Sequence, residues 1–365
     1  MLMSNSDRLS SLDIAQAALI EHYQALAVSP ELRRIHLNGT GAIAQLEAKL
    51  ATHYGKKYAL CCSNATTALL AIALALDLTD TVFMTSPLSY GATLAGFLLR
   101  GNRPQFVGLD PLTQTLCPEA VRRAITPDTK AILTVDIFGN PADIIGLQAI
   151  ADEFGLWTIS DASQSFGGTR AGKPASASAD AIVVSFTAGK TLFAGEGGAI
   201  VTDNEELYQK LVYYTQHPDR QRRDLGFGLE NQYGLNARIH PLAAVVANAT
   251  FESSLSELRV HQSERMLVVE ALNDIGLTVP MPFEAEGILP TFFALVAQWQ
   301  GRVEPERLIA ALNERGMRMK ISALPCSWIP TQAAFIAQYE HLLGDSHPNS
   351  LEWSEGRYFA LVDRR

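Results

Sequence analysis

Between Lys57 and about Thr202, short apolar runs alternate with segments of helical pattern, and this alternation restricts the fold more than any other feature of the chain. The runs fall at residues 58–61, 81–84, 105–107, 131–135, 156–159, 182–184 and 199–201. Most are apolar nearly throughout, the pattern of strands covered on both faces. Strands of that kind separated by helices build an α/β layer structure around a largely parallel sheet. Ligands of such sheets bind beyond the carboxyl ends of the strands. The expected fold is therefore α/β, with a mostly parallel seven-stranded sheet between helices.

A chain of 365 residues exceeds the size at which one core usually keeps growing, so a large and a smaller domain are expected. Hydrophobic residues make up 47% and charged residues 18%, which suits a well-buried protein and excludes a disordered one. A net charge of −9 argues against a nucleic-acid partner, because a binder of phosphate backbones presents a basic face. No apolar run reaches the roughly 18 residues of a membrane span. The start, Met1-Leu2-Met3-Ser4-Asn5-Ser6-Asp7, lacks the basic-then-apolar order of a secretory signal. The expectation is a cytoplasmic protein without a membrane partner. Cys61, Cys62, Cys117 and Cys326 show no metal-ligand spacing and read as reduced thiols, so no metal site is expected.

Ser10 and Asp13 resemble a capping box ahead of an amphipathic helix over 12–20, and a second helix is expected from Gly41 to Tyr54, closed by Gly55. After Asn236 the pattern changes. A long helix is expected over 242–272, a strand over 291–296 and another helix over 305–314. These suit a smaller α+β domain. The expected division is residues 1–245 for a large cofactor-binding domain and 246–365 for the small C-terminal one.

One strand-like run ends at Ser185 and delivers Lys190 into a glycine-rich turn, Gly195-Glu196-Gly197-Gly198, from which the next apolar run leads away. The run at 156–159 leads into Asp161 in the same manner. A lysine and an aspartate at neighbouring strand ends suggest pyridoxal phosphate (PLP) chemistry, in which the amine forms a Schiff base and the carboxylate pairs with the protonated pyridine nitrogen. Asp161 reads equally as a helix cap. Gln164, one helical turn on, reads as a donor to the cofactor's phenolic oxygen or as a helix-surface glutamine. Thr66 and Thr67 follow Ser63-Asn64 at the opening of a helix, where free amides and hydroxyls hold phosphate. Ser185 could reach the same phosphate or simply end its strand, and Tyr90 could stack on a pyridine ring or fill a core.

The order of these segments resembles the DegT/StrS family of PLP enzymes, fold type I aminotransferases known for aminating keto sugars carried on nucleotides. The resemblance runs from about Gly39 to Leu258. It rests on Ser63-Asn64-Ala65-Thr66, the segment at Tyr90, Phe138-Gly139-Asn140-Pro141-Ala142-Asp143, Asp161-Ala162-Ser163-Gln164, Ser185-Phe186 with Lys190, Gly195-Glu196-Gly197-Gly198, and Tyr233-Gly234-Leu235-Asn236-Ala237-Arg238. It implies that Lys190 is the Schiff-base lysine and Asp161 the pyridinium partner. It further implies that Gln164 contacts the ring oxygen, Tyr90 stacks on the ring, and Thr66, Thr67 and Ser185 hold the phosphate. Asn236 matches the asparagine that reaches the phosphate of the neighbouring subunit, which implies a homodimer with shared active sites.

The activity so implied is an aminotransferase that takes an amino group from an amino acid, glutamate in the family, and gives it to a keto acceptor: a nucleotide-linked keto sugar, a keto-cyclitol or another ketone. Two alternatives stand beside it: a PLP dehydratase or lyase, and a non-catalytic binding or regulatory protein of the same fold. Dehydratases of the family replace the lysine by histidine, so Lys190 points to transfer. Several segments depart from the family pattern. Asp136 stands where many members have histidine, and Pro290-Thr291-Phe292-Phe293, Ser322-Ala323-Leu324-Pro325-Cys326 and the tail after Asn349 do not match. Changed segments around an unchanged cofactor site imply an acceptor other than the ordinary nucleotide-linked sugars.

Overall fold

A computed structural model describes residues 10–28, 35–226, 231–274, 287–299, 305–314, 319–322, 327–329, 332–339, 341 and 357–363. Cys326, most of the segment 322–326 and much of the tail after Asn349 lie outside the described residues.

Every apolar run of the opening pattern forms a strand of one sheet. The strands are β1 (Tyr58–Cys62), β2 (Val82–Thr85), β3 (Arg103–Phe106), β4 (Thr129–Val135), β5 (Trp157–Asp161), β6 (Ala181–Ser185) and β7 (Gly198–Thr202). Their order across the sheet is β1-β7-β6-β5-β4-β2-β3. β2, β3, β4, β5 and β6 pair in parallel, and β7 is antiparallel to both β6 and β1. The carboxyl ends of β1, β4, β5 and β6 therefore share one edge.

Burial on both faces explains why these strands read as continuous apolar runs. Along β6 the side chains alternate between two cores: Ile182 and Val184 join one, Ala181 and Val183 the other. The first core is covered by α2 (Ala42–Tyr54), through Ile43, Leu46 and Leu50. The second is covered by α3 (Ala65–Ala75) and α4 (Ala92–Leu98), through Leu69, Ile72, Leu94 and Phe97. β7 alternates likewise, with Val201 in the first core and Ile200 in the second.

The helix signals hold. Ser10 and Asp13 exchange hydrogen bonds at 2.7–3.2 Å, closing the capping box ahead of α1 (Ser11–Val28). α2 stops at Gly55, which takes the left-handed conformation (φ 65) and donates its N–H to the last carbonyls. Glu47 on α2 is buried and accepts from the Cys61 N–H at 2.8 Å and from Arg220 at 2.8 and 2.9 Å. That triangle fixes the exit of β1, next to the turn that opens α3.

The long helix expected after Asn236 is α5 (Pro241–Asp274), unbroken through residue 245. Its N-terminal half packs on the large sheet's core through Ala243, Ala244, Ala247 and Phe251. Beyond it, β8 (Leu295–Trp299), β9 (Met319–Ser322) and β10 (Arg357–Asp363) form a second sheet in the order β8-β10-β9, with α6 (Pro305–Glu314) as expected. One boundary differs. The strand expected over 291–296 begins only at Leu295, because the preceding residues are strapped to the large sheet's turn. The N–H groups of Thr291 and Ala294 donate to the carbonyls of Gly139 and Phe138, and Phe292 takes a left-handed φ of 54°.

Candidate active site

Four strand ends and their connections build the site. At the end of β1 the chain turns through Ser63 and Asn64 into α3, and Asn64 caps that helix by accepting from the Thr67 N–H and hydroxyl, both at 2.8 Å. Thr67 is thereby turned toward the cap, and the cavity wall is formed by Thr66 and the helix N-terminus instead. Gly198, the first residue of β7, lies directly beneath. A Cβ there would sit 2.7 Å from the Ala65 nitrogen, so the close approach of strand and helix start requires glycine.

At the end of β5, Asp161 is 6% exposed. Its Oδ2 accepts from the Thr93 hydroxyl at 2.7 Å and its Oδ1 from the Ser163 N–H at 3.1 Å. The residues after it form a turn, so the helix-cap reading does not hold. Gln164 is likewise off any helix surface. It is buried, and its Oε1 accepts from the Phe138 N–H at 2.6 Å, which turns the amide nitrogen to the opposite side as the donor. Phe138 and Gly139 both take left-handed φ values, 59° and 86°, to make that contact. A Cβ on Gly139 would strike the Thr291 hydroxyl at 2.1 Å, and that hydroxyl donates to the Gln164 carbonyl at 2.5 Å.

Asp136 lies fully buried behind this turn. Its carboxylate accepts from Ser165 (2.6 Å), Ser176 (2.7 Å) and the Ala142 N–H (2.8 Å), and its own N–H donates to the Asp161 carbonyl at 3.2 Å. Burial pushes the Asp136 carboxyl above the ordinary range, against the lowering effect of these donors. Burial likewise pushes the Cys62 thiol up to about 12, and Cys61 rises for the same reason. Such thiols are protonated and unreactive at neutral pH.

The connection between β6 and β7 carries the lysine. Ser185 ends β6 in a buried position, with its hydroxyl 3.2 Å from that of Thr187. Gly189 (φ 81) turns the chain, and Lys190 follows with its Nζ 4.3 Å from the centre of the Phe293 ring. At Gly197, φ is 139°, and a Cβ would lie 2.9 Å from the Phe186 ring. The loop is closed by the Phe186 N–H on the Gly197 carbonyl and the Ala194 N–H on the Phe186 carbonyl, each 2.9 Å.

These groups converge on a cavity of about 510 Å³ lined by Thr66, Tyr90, Asp161, Gln164, Ser185 and Lys190 together with Thr93, Thr187, Glu196 and Phe293. Tyr90 stands at its rim, 63% exposed. Asn236 is outside it, exposed, with φ 52; the carbonyl of the next residue, Ala237, accepts from the Ser63 N–H at 2.8 Å. Phe293 belongs to the segment 290–293 whose sequence marks it as shaping the acceptor pocket, whereas nothing in the sequence marks Thr93 as a site residue. Thr93 is 68 positions from Asp161, and no local pattern joins them.

The cavity fits a phosphorylated pyridine aldehyde. A helix N-terminus with Thr66 and Ser185 suits the phosphate. The buried carboxylate of Asp161 suits a protonated ring nitrogen, the Gln164 amide suits the phenolic oxygen, and Lys190 supplies the amine. Among the described residues no cluster of His, Cys, Asp or Glu forms a metal site, and no helix is long and apolar enough to cross a membrane.

Known proteins are similar to this chain in sequence and in fold. One is the Pseudomonas aeruginosa UDP-2-acetamido-2-deoxy-3-oxo-D-glucuronate aminotransferase, 32% identical over 65% of this chain and 66% of its own length. Another is the Bacillus subtilis 3-oxo-glucose-6-phosphate:glutamate aminotransferase, 36% identical over 48% of this chain and 39% of its own. Among solved structures, a Bacillus subtilis protein with the cofactor PMP bound superposes with a TM-score of 0.71 at 24% identity, covering 93% of this chain and 74% of that one. Residues 31–355 match the model of one family. The chain belongs to the DegT/DnrJ/EryC1/StrS aminotransferase family, whose enzymes use pyridoxal phosphate on this fold.

Proposed function

We propose that the protein transfers an amino group from glutamate to the keto carbon of a sugar or cyclitol, with pyridoxal phosphate held in the 510 Å³ cavity. The observation that carries the reading is that Lys190 and Asp161, from separate strand ends, line one cavity with the phosphate-binding residues. When bound, the cofactor supplies an electron sink for the substrate carbon. Lys190 Nζ takes the proton from the donor's α-carbon and returns one to the acceptor's carbon. Its place beside the Phe293 ring holds it over the cavity. Asp161 keeps the pyridine nitrogen protonated, and Thr93 and Ser163 orient its two oxygens. Thr66 and Ser185 hold the phosphate, with Thr67 fixing the cap residue beside them. Gln164 orients the ring and Tyr90 covers its open face.

The names of the relatives support glutamate as donor and an oxidised sugar as acceptor. Lys190 favours transfer over dehydration, since family dehydratases have histidine at this position. Glutamate is expected to bleach the visible absorbance of the PLP-loaded protein, and 2-oxoglutarate to restore it. A band that no amino acid changes would leave the protein a binding or regulatory member of the fold.

The same reading makes the protein a cytoplasmic homodimer with shared sites and takes the division between a large and a small domain to fall near residue 245, within α5. Asn236, exposed and left-handed beside the Ser63 turn, is the residue that would reach the partner's phosphate. Mixing inactive Lys190→Ala and Asn236→Asp subunits is expected to restore activity, because one of the two sites in a mixed dimer has all its residues. A mixture that stays inactive, or a monomer with full cofactor affinity, would refute the arrangement.

A further inference from the structure

Asp136 is a fully buried carboxylate to which the reaction above gives no task. It is the first residue past β4, and Val135 before it pairs in register with Asp161 of β5. The two aspartates thus stand at neighbouring strand ends, where backbones run about 4.8 Å apart. The Asp136 N–H donates to the Asp161 carbonyl at 3.2 Å. Asp136 also frames the turn that serves Asp161. Its Oδ2 accepts from the Ser165 hydroxyl at 2.6 Å, the Ser165 N–H donates to the Ala162 carbonyl at 3.1 Å, and the Ser163 N–H between them donates to Asp161 Oδ1 at 3.1 Å.

The hydrogen-bond partners of this carboxylate are neutral: two hydroxyls, Ser165 and Ser176, and the Ala142 N–H. Among the described residues no cation forms an ion pair with it. Tyr54 of α2 lies nearby, its phenol pushed up by burial and further by Asp136, so it stays protonated. Asp143 in the adjoining turn is engaged by the Gly146 N–H at 3.1 Å, and Arg170 donates to the Pro141 carbonyl at 3.2 Å. Asp161 is the neighbour left to feel the charge.

We propose that Asp136 is a positioning residue that acts through Asp161: its buried charge, set behind the Asp161 carboxylate, strengthens that carboxylate's hold on the protonated ring nitrogen of the cofactor. The proposal rests on the cofactor reading above. Three donated hydrogen bonds favour the ionised form of Asp136 against its burial. A negative charge raises the proton affinity of a nearby carboxylate, and with little water between them the effect reaches several ångströms. The interaction is mutual: the Asp161 charge adds to the rise that burial imposes on the Asp136 carboxyl. Histidine, which stands at this position in many family members, has no negative charge to add.

Competition between PLP and its 1-deaza analogue, in which a C–H replaces the ring nitrogen, isolates this interaction in the full chain, because the two compounds share every contact except the one with Asp161. The unmodified protein is expected to prefer PLP. Asp136→Asn, whose amide can still accept from Ala142 and donate to the serine hydroxyls, is expected to lose about tenfold of that preference, the equivalent of one pKa unit. Its affinity for the deaza analogue is expected to stay within a few-fold. Asp136→His is the second variant and is expected to lose at least as much. A folded variant with full preference would overturn the proposal. So would an equal loss of both compounds, which would make Asp136 a structural residue alone. An unmodified protein that binds the two compounds equally would take the ring-nitrogen role from Asp161 and overturn the proposal with it. One that binds neither would strike at the cofactor reading itself, on which the proposal stands.

Discussion

Asp161→Asn is expected to retain pyridoxal phosphate and lose roughly a hundredfold or more in turnover. In the proposed function the phosphate contacts, the attachment to Lys190 and the ring cover would be untouched by this change. The carboxylate is what differs: buried at 6% exposure, it receives one hydrogen bond from Thr93 and one from Ser163, which orient both of its oxygens. A neutral amide in that place cannot hold the pyridine proton, and the ring loses its capacity to take electrons from the substrate carbon. Breaking a buried charge pair costs about 3–5 kcal/mol, which on the transition state is a factor of a hundred or more. Steady-state rates measured beside the cofactor's absorbance separate the two effects. Turnover within a few-fold of the unmodified protein would make Asp161 a turn residue only.

Lys190→Arg is expected to be as damaging as Lys190→Ala, each losing at least about a thousandfold, within the range that a positioned acid–base group supplies. Arginine keeps the positive charge and can still lie over Phe293, but it does not release its proton at any working pH. If Lys190 were a fixed cation for an anionic substrate, arginine would preserve most of the activity. Rates for both variants, with cofactor content measured alongside, decide between proton carrier and mere charge.

Seven strands were legible because a strand buried on both faces must be apolar at nearly every position, and β6 and β7 show that directly. Lys190, Asp161, Ser185 and Thr66 were legible for a second reason: parallel strands gather their carboxyl ends on one edge. What the pattern does not carry is the side-chain partner. Thr66 and Thr67 are neighbours in the chain, yet one helical step of rotation puts the first in the cavity and the second on Asn64. Gln164 reads as a helix residue, whereas its hydrogen bond to the distant Phe138 N–H draws it inside. β8 begins later than its sequence suggests for a similar reason. Thr291 and Phe292 have strand-like side chains, but their backbone follows the turn at Gly139, and this brings Phe293 to Lys190.

Asp136 shows where residue type and environment together matter. It replaces a histidine of the resemblance pattern, and the structure surrounds it with two serine hydroxyls and a backbone N–H in place of a ring. The result is a second buried carboxylate whose N–H holds the Asp161 carbonyl, and no spacing rule in the sequence reveals it.

The most direct test of the whole reading is borohydride reduction of the protein after loading with pyridoxal phosphate, followed by peptide mapping. A visible absorbance band that disappears on reduction, with the label on Lys190 alone, is the expected result. A label on another lysine, or no visible absorbance after loading, would contradict it.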